Sequence, residues 1–154
     1  MIDSPVEVFR NPCFWAGLLS WTVAQCTKML CGFYRTHRMD MHYLVSTGGM
    51  PSAHSATVSG LATAIGLTEG FGSPFFVLAM TLALIVMFDA STVRRSAGLQ
   101  ASLLNEIIDE LFKEHHLSER KLFELLGHTR LEVFMGMTVG ILVAMLVVSR
   151  SAAM

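Results

Sequence analysis

Four apolar runs nearly free of charge set what this chain can become: Pro12 to Tyr34, Ser52 to Leu67, Phe71 to Phe88, and Val133 to Ser149. Lipid offers the backbone no hydrogen-bond partner, so a buried span must satisfy its own amides, as a helix does. Against the ~20 residues a span needs, the last three runs are short, and one or more is expected to be tilted little, to extend through the interface, or to insert only in part. Composition agrees. Hydrophobic residues make up 53% and charged residues only 15%, where soluble proteins average about a quarter charged. A net charge of −1 gives no sign of nucleic-acid binding. The expected fold is all-α: a small polytopic membrane helix bundle of about four membrane helices, plus an amphipathic helix in the long polar segment.

Residues 1–11, with Asp3, Glu7 and Arg10, read as a polar leader. Acids stand where a secretory signal would carry basic residues. Residues 12–150 read as a single membrane-embedded domain, with an insertion at about 99–126. In that insertion Leu103, Leu104, Ile107, Ile108, Leu111 and Phe112 recur at helical spacing, opposite Glu106, Asp109, Glu110, Lys113 and Glu114. The acidic polar face argues against docking on anionic lipid, leaving the bundle or a second copy as its partner. A shorter helix is expected over Glu119–Leu126. Gly60, Ala62 and Ala64 in the second run, and Gly136 and Gly140 in the last, suit close helix packing in lipid. Cys13, Cys26 and Cys31 fit neither a disulfide framework nor a zinc spacing and read as small hydrophobes.

The stretch Ser46 to Thr57 (Ser-Thr-Gly-Gly-Met-Pro-Ser-Ala-His-Ser-Ala-Thr) joins a glycine pair to a predicted helix start. Ser52 is a good N-cap. Free N–H groups and the positive end of a helix dipole make such a place receptive to phosphate, and His54 sits in the first turn. The plainer reading is a loop that starts a helix, with an incidental histidine.

If the four runs alternate across the bilayer, the unusual polar residues gather at one face. Lys28 and Arg35 lie two helical turns apart near the end of the first run. The plain alternative for Lys28 is snorkelling to the interface. Ser52 and His54 open the second. Asp89, Arg94 and Arg95 follow the third; the arginines offer forked donors for phosphate, or act as juxtamembrane anchors. His128 and Glu132 precede the fourth, four residues apart, and share a face if the helix begins at or before His128. The carboxylate then holds one ring nitrogen and leaves the other for nucleophilic or base chemistry. An ordinary surface pair is the alternative. A cationic cradle with two histidines is what metal-free phosphoryl transfer needs. No HExxH, Walker loop or acidic metal cluster is present, so neither metal nor cofactor is expected. His115 and His116 read as solvated.

These residues carry a resemblance to a known family. The chain resembles the type-2 phosphatidic acid phosphatase superfamily, related to the vanadium haloperoxidases, and specifically its small divergent membrane branch, over about residues 12–146. Lys28 and Arg35 have the spacing of the first motif, with Thr36 in place of proline. Pro51-Ser52-Ala53-His54 matches the second. The third is split: Val93-Arg94-Arg95 resembles its arginine half and His128 to Glu132 its histidine half, with Glu for Asp.

The resemblance implies His128 as the nucleophile, Glu132 as its orienting carboxylate, and His54 as the acid for the leaving group. Lys28, Arg35, Ser52 and one or both of Arg94 and Arg95 would hold the phosphate. Asp89 has no place in the parent motif and would clamp an arginine or end a helix.

Eight of the eleven Lys and Arg fall on the face bearing this cluster. The positive-inside rule therefore points the site to the cytoplasm, in the plasma (inner) membrane. The expected function is hydrolysis of lipid phosphate monoesters or pyrophosphates through a phosphohistidine. The expected partners are a lipid phosphate substrate and the bilayer, with no nucleic acid. A homodimer on the small-residue faces is compatible with the sequence. Two other classes fit less of the pattern: a non-catalytic membrane assembly or lipid-binding protein on the same fold, and a transporter subunit. The last would place its polar residues at mid-membrane.

Overall fold

The computed structural model describes residues 5–36, 49–111 and 128–153. The loop at 37–48, His115, His116 and the helix expected over Glu119–Leu126 fall outside them. A short 3-10 segment, Pro5–Arg10, leads into α1 (Pro12–Thr36), α2 (Ala53–Glu69), α3 (Pro74–Ser91), α4 (Val93–Leu111) and α5 (Arg130–Ala152). There is no strand among the described residues. The leader is thus partly helical: the Phe9 and Phe14 rings meet edge-on at 5.4 Å, and Trp15 Nε1 donates to the Phe9 carbonyl at 2.7 Å.

The helix starts follow local chemistry. Asn11 Oδ1 accepts from the Cys13 N–H at 2.8 Å just ahead of α1. Ser52 caps α2, as expected, and Ser73 caps α3 with Pro74 in the first turn, where its missing N–H costs nothing. Gly70, at φ 90°, closes the turn between α2 and α3.

The centre of the bundle is α2, which packs on α1, α3 and α5. It runs antiparallel to α1, with Cys13 near Thr68 at one end (3.4 Å) and the Lys28 stem beside Gly49 at the other. It runs parallel to α5: the Ser52 N–H donates to the Glu132 carbonyl at 3.0 Å, and Ser59 Oγ donates to the Met137 carbonyl at 3.2 Å.

The packing is inside-out by the standard of soluble proteins. Ser20, Ser52 and Ser55 are fully buried, whereas Leu78 is 70% exposed and Phe88 68%. The core consists mostly of Ala, Gly and Ser, which lets backbones approach closely where no hydrophobic force drives helices together. Buried hydroxyls turn back on their own helix: Ser20 donates to the Ala16 carbonyl at 2.6 Å and Ser59 to that of Ser55 at 2.6 Å. Gly136 and Gly140 face α2, as their spacing predicts. A Cβ at 140 would collide with Ser59 Oγ and the Ala56 carbonyl.

The described helices form the expected all-α bundle. Two stretches, Pro74–Ile108 and Arg130–Ala152, are long and apolar enough to cross a membrane. α1 and α2 are bundle members without meeting that measure. Packed on three neighbours, α2 takes small and hydroxylated residues in place of large lipid-facing ones.

Two expectations change. α5 begins at Arg130 and spans 23 residues, longer than the seventeen-residue run, because Thr129 starts the helix ahead of the apolar stretch. The amphipathic helix begins at Val93, just past the end of α3, since Thr92 continues the hydrogen-bond ladder with its N–H on the Phe88 carbonyl at 3.0 Å. Among the described elements α4 meets only α3, and Leu99, Leu103, Leu104 and Ile107 stay exposed. The expected packing of that face on the bundle is therefore absent among the described residues.

Candidate active site at one end of the bundle

The antiparallel course of α1 against α2, and the parallel course of α5, bring three distant segments to one end. Each arrives through local chemistry. Gly49 adopts φ 94°, a conformation that disfavours side chains, and the Lys28 stem lies along it. A Cβ at position 49 would stand 3.5 Å from Lys28 Cγ. Lys28 is only 4% exposed and lies within electrostatic reach of Glu132.

Ser52 follows the buried Pro51 and is itself engaged at the α2 N-terminus. Its Oγ accepts from the Ser55 N–H at 3.4 Å and from the Ser55 hydroxyl at 3.0 Å. Two residues after Ser52, His54 occupies the first turn of α2 and is exposed.

Across from it, His128 is 2% exposed. Its ring centroid lies 6.4 Å from that of His54, the planes inclined at 59°. His128 Nδ1 is 3.1 Å from Glu132 Oε2. A histidine bonded to a carboxylate through Nδ1 carries its proton there and its lone pair on Nε2.

The pair forms differently from the expected shared helix face. His128 lies outside α5, two residues before its first turn. Thr129 is the N-cap, and Glu132 closes a capping box with it. The Thr129 N–H donates to Glu132 Oε2 at 3.0 Å, and the Glu132 N–H donates to Thr129 Oγ1 at 3.3 Å. Glu132 therefore folds back over the helix start and meets the imidazole there. Thr129 is a residue the motif reading passed over, although Thr129-Arg130-Leu131-Glu132 before an apolar run is a capping-box signature.

The two halves of the split motif also approach each other. The His128 N–H donates to the Ala90 carbonyl at 3.1 Å, one helical turn before Arg94 in sequence. Backbone pairing thus brings together segments separated by the insertion. The side chains of Arg35, Arg94 and Arg95 lie outside the described residues. Their backbones sit in the last turn of α1 and the first turn of α4. Asp89 is half-buried near the end of α3. The described residues hold no group of three or more His, Cys, Asp or Glu placed for a metal ion.

Fold and site together define a small α-helical membrane protein with an imidazole–carboxylate pair and a second imidazole at one end of its bundle. The chain belongs to the Divergent PAP2 family, whose model matches residues 9–143. It is similar to the uncharacterized membrane protein YuiD of Bacillus subtilis (strain 168), 35% identical over 151 residues, covering 91% of this chain and 96% of that relative. No solved structure matches the chain.

Proposed function

We propose that the protein is a phosphatase acting on lipid phosphate monoesters or pyrophosphates at the cytoplasmic face of the plasma membrane. The observation that carries this reading is the Nδ1 bond from His128 to Glu132, with the His54 ring centroid 6.4 Å from that of His128. In the proposed reaction, the Nε2 lone pair attacks phosphorus and the bond from phosphorus to the leaving oxygen breaks. His54 gives that oxygen a proton. Water then attacks the phosphohistidine and gives a proton back to the now neutral His54; the P–N bond breaks, His128 recovers its Nε2 lone pair, and inorganic phosphate leaves. Glu132 stabilises the imidazolium character that develops on His128. Lys28 and one or more of the arginines at 35, 94 and 95 would neutralise the phosphate oxygens, and Ser52 would help hold them, the electrostatic interaction that contributes most to catalysis of this kind.

The test is phosphate release from a panel of lipid phosphates by the purified protein in detergent, with EDTA present. Turnover should be abolished in His128→Ala and lowered by about 10²–10⁴ in His54→Ala, the usual worth of a general acid. A second reading, a non-catalytic lipid-binding or assembly protein on the same fold, has the capping box in its favour, since that gives Glu132 a structural task. Folded protein that releases phosphate from no lipid phosphate would select it.

A further inference from the structure

We infer that Thr129 is a positioning residue for His128, acting through Glu132, and that this chain needs glutamate rather than aspartate at 132 because one carboxylate oxygen serves two donors. The catalytic side of this inference rests on the proposed phosphatase reading; the positioning side does not. Glu132 Oε2 lies 3.0 Å from the Thr129 nitrogen and 3.1 Å from His128 Nδ1. The first contact belongs to the capping box, which pairs Ser or Thr at the N-cap with Glu or Gln three residues on. The second fixes the imidazole.

A carboxylate pinned by the backbone has little freedom to swing away, so the ring is held in one tautomer before any ligand arrives. Aspartate is one methylene shorter. From the N3 position it cannot reach back to the N-cap amide and hold the imidazole as well. The glutamate, which stands where the parent superfamily's third motif has aspartate, thus matches a helix whose N-cap is the residue after His128. Thr129 makes the arrangement possible: its hydroxyl accepts the Glu132 N–H at 3.3 Å and sets where the first turn begins. A further tie, from the Ser52 N–H to the Glu132 carbonyl at 3.0 Å, fixes the same turn against the start of α2, next to His54.

The test follows the His128 tautomer by nitrogen NMR on histidine-labelled protein in detergent, at alkaline pH, with His128→Ala identifying the signals. Phosphate release is measured in parallel. Wild type, Thr129→Ser and Glu132→Gln should keep the Nδ1–H tautomer, since each retains the capping box and an oxygen for the ring. Thr129→Val and Glu132→Asp should give mixed tautomers with helical content preserved. Their turnover should fall about ten- to a hundredfold, as when the group orienting a functional histidine is removed. Thr129→Ser should restore wild-type turnover, whereas Glu132→Gln should stay slow despite its correct tautomer, because it lacks the charge. An unchanged tautomer in Glu132→Asp or Thr129→Val overturns the inference. The expected tautomer changes in Thr129→Val and Glu132→Asp, together with a wild type that releases no phosphate, would uphold the positioning and sink the phosphatase reading.

Discussion

Replacing Gly140 by alanine should push α2 and α5 apart. A methyl group at 140 would meet Ser59 Oγ and the Ala56 carbonyl oxygen, and would stand 2.8 Å from the Gly60 nitrogen. Two of those atoms are α2 backbone, so no side-chain rotation relieves the crowding. Carbon and oxygen settle at about 3.3–3.6 Å, so the helices must part by about 1 Å. A gap of that size forfeits about a quarter to a half of each dispersion contact it opens. Overpacking by one methylene typically costs ~1–3 kcal/mol. Stretching the bond from Ser59 to Met137 adds ~0.5–1.5 kcal/mol. Alanine's better helix propensity returns about 1 kcal/mol, leaving a net loss of about 1–3 kcal/mol.

Gly72→Ala is the control, because nothing lies within 4 Å of a Cβ there; it should shift stability by under ~0.5 kcal/mol. Both variants would be unfolded by denaturing detergent and followed by circular dichroism. A Gly140→Ala protein as stable as wild type would refute the tight α2–α5 seam. The same parting should move Ser52 and His54 away from His128 and Glu132, which ride on opposite sides of it.

Other expectations follow from the same geometry. Lys28→Met should weaken inhibition by inorganic phosphate about ten- to a hundredfold, the worth of one charge-assisted hydrogen bond; an unchanged inhibition constant would remove Lys28 from the phosphate cradle. Gly49→Ala should cost ~1–3 kcal/mol, read as a lowered melting temperature, because alanine is strained at φ 94°. In a protein whose native cysteines are replaced by alanine, Leu78→Cys and Leu142→Cys should resist charged maleimides until the protein is unfolded in denaturing detergent, because a thiol in lipid does not form the reactive thiolate. Labelling by a charged reagent at 78 in the folded protein would contradict the lipid-facing assignment.

Much of the fold was legible because membrane helices obey one-dimensional rules. The apolar runs located α1, α2, α3 and α5, and Ser52 marked its helix start, since an N-cap is a local event. Gly136 and Gly140 announced their contact because small residues four apart leave a groove on one face. The helix ends were harder. The apolar stretch of α5 began three residues late, because Thr129 starts the helix by capping chemistry that hydropathy does not register. At the candidate site, the His128–Glu132 spacing was visible, but its cause was not: the contact comes from a side chain folding back over a helix start.

By itself, then, the sequence determined that this chain forms apolar helices with small-residue faces, and that its unusual polar residues lie at their ends. Composition and spacing suffice for that, because burial in lipid and helical periodicity act on each segment separately. Only the tertiary structure decided which helix sits in the middle and how distant segments meet. The Ala90 carbonyl on the His128 amide, the Glu132 carbonyl on the Ser52 amide, and Lys28 laid along Gly49 all join residues far apart in the chain. Such contacts depend on the order in which helices pack, and no single stretch of sequence carries that order.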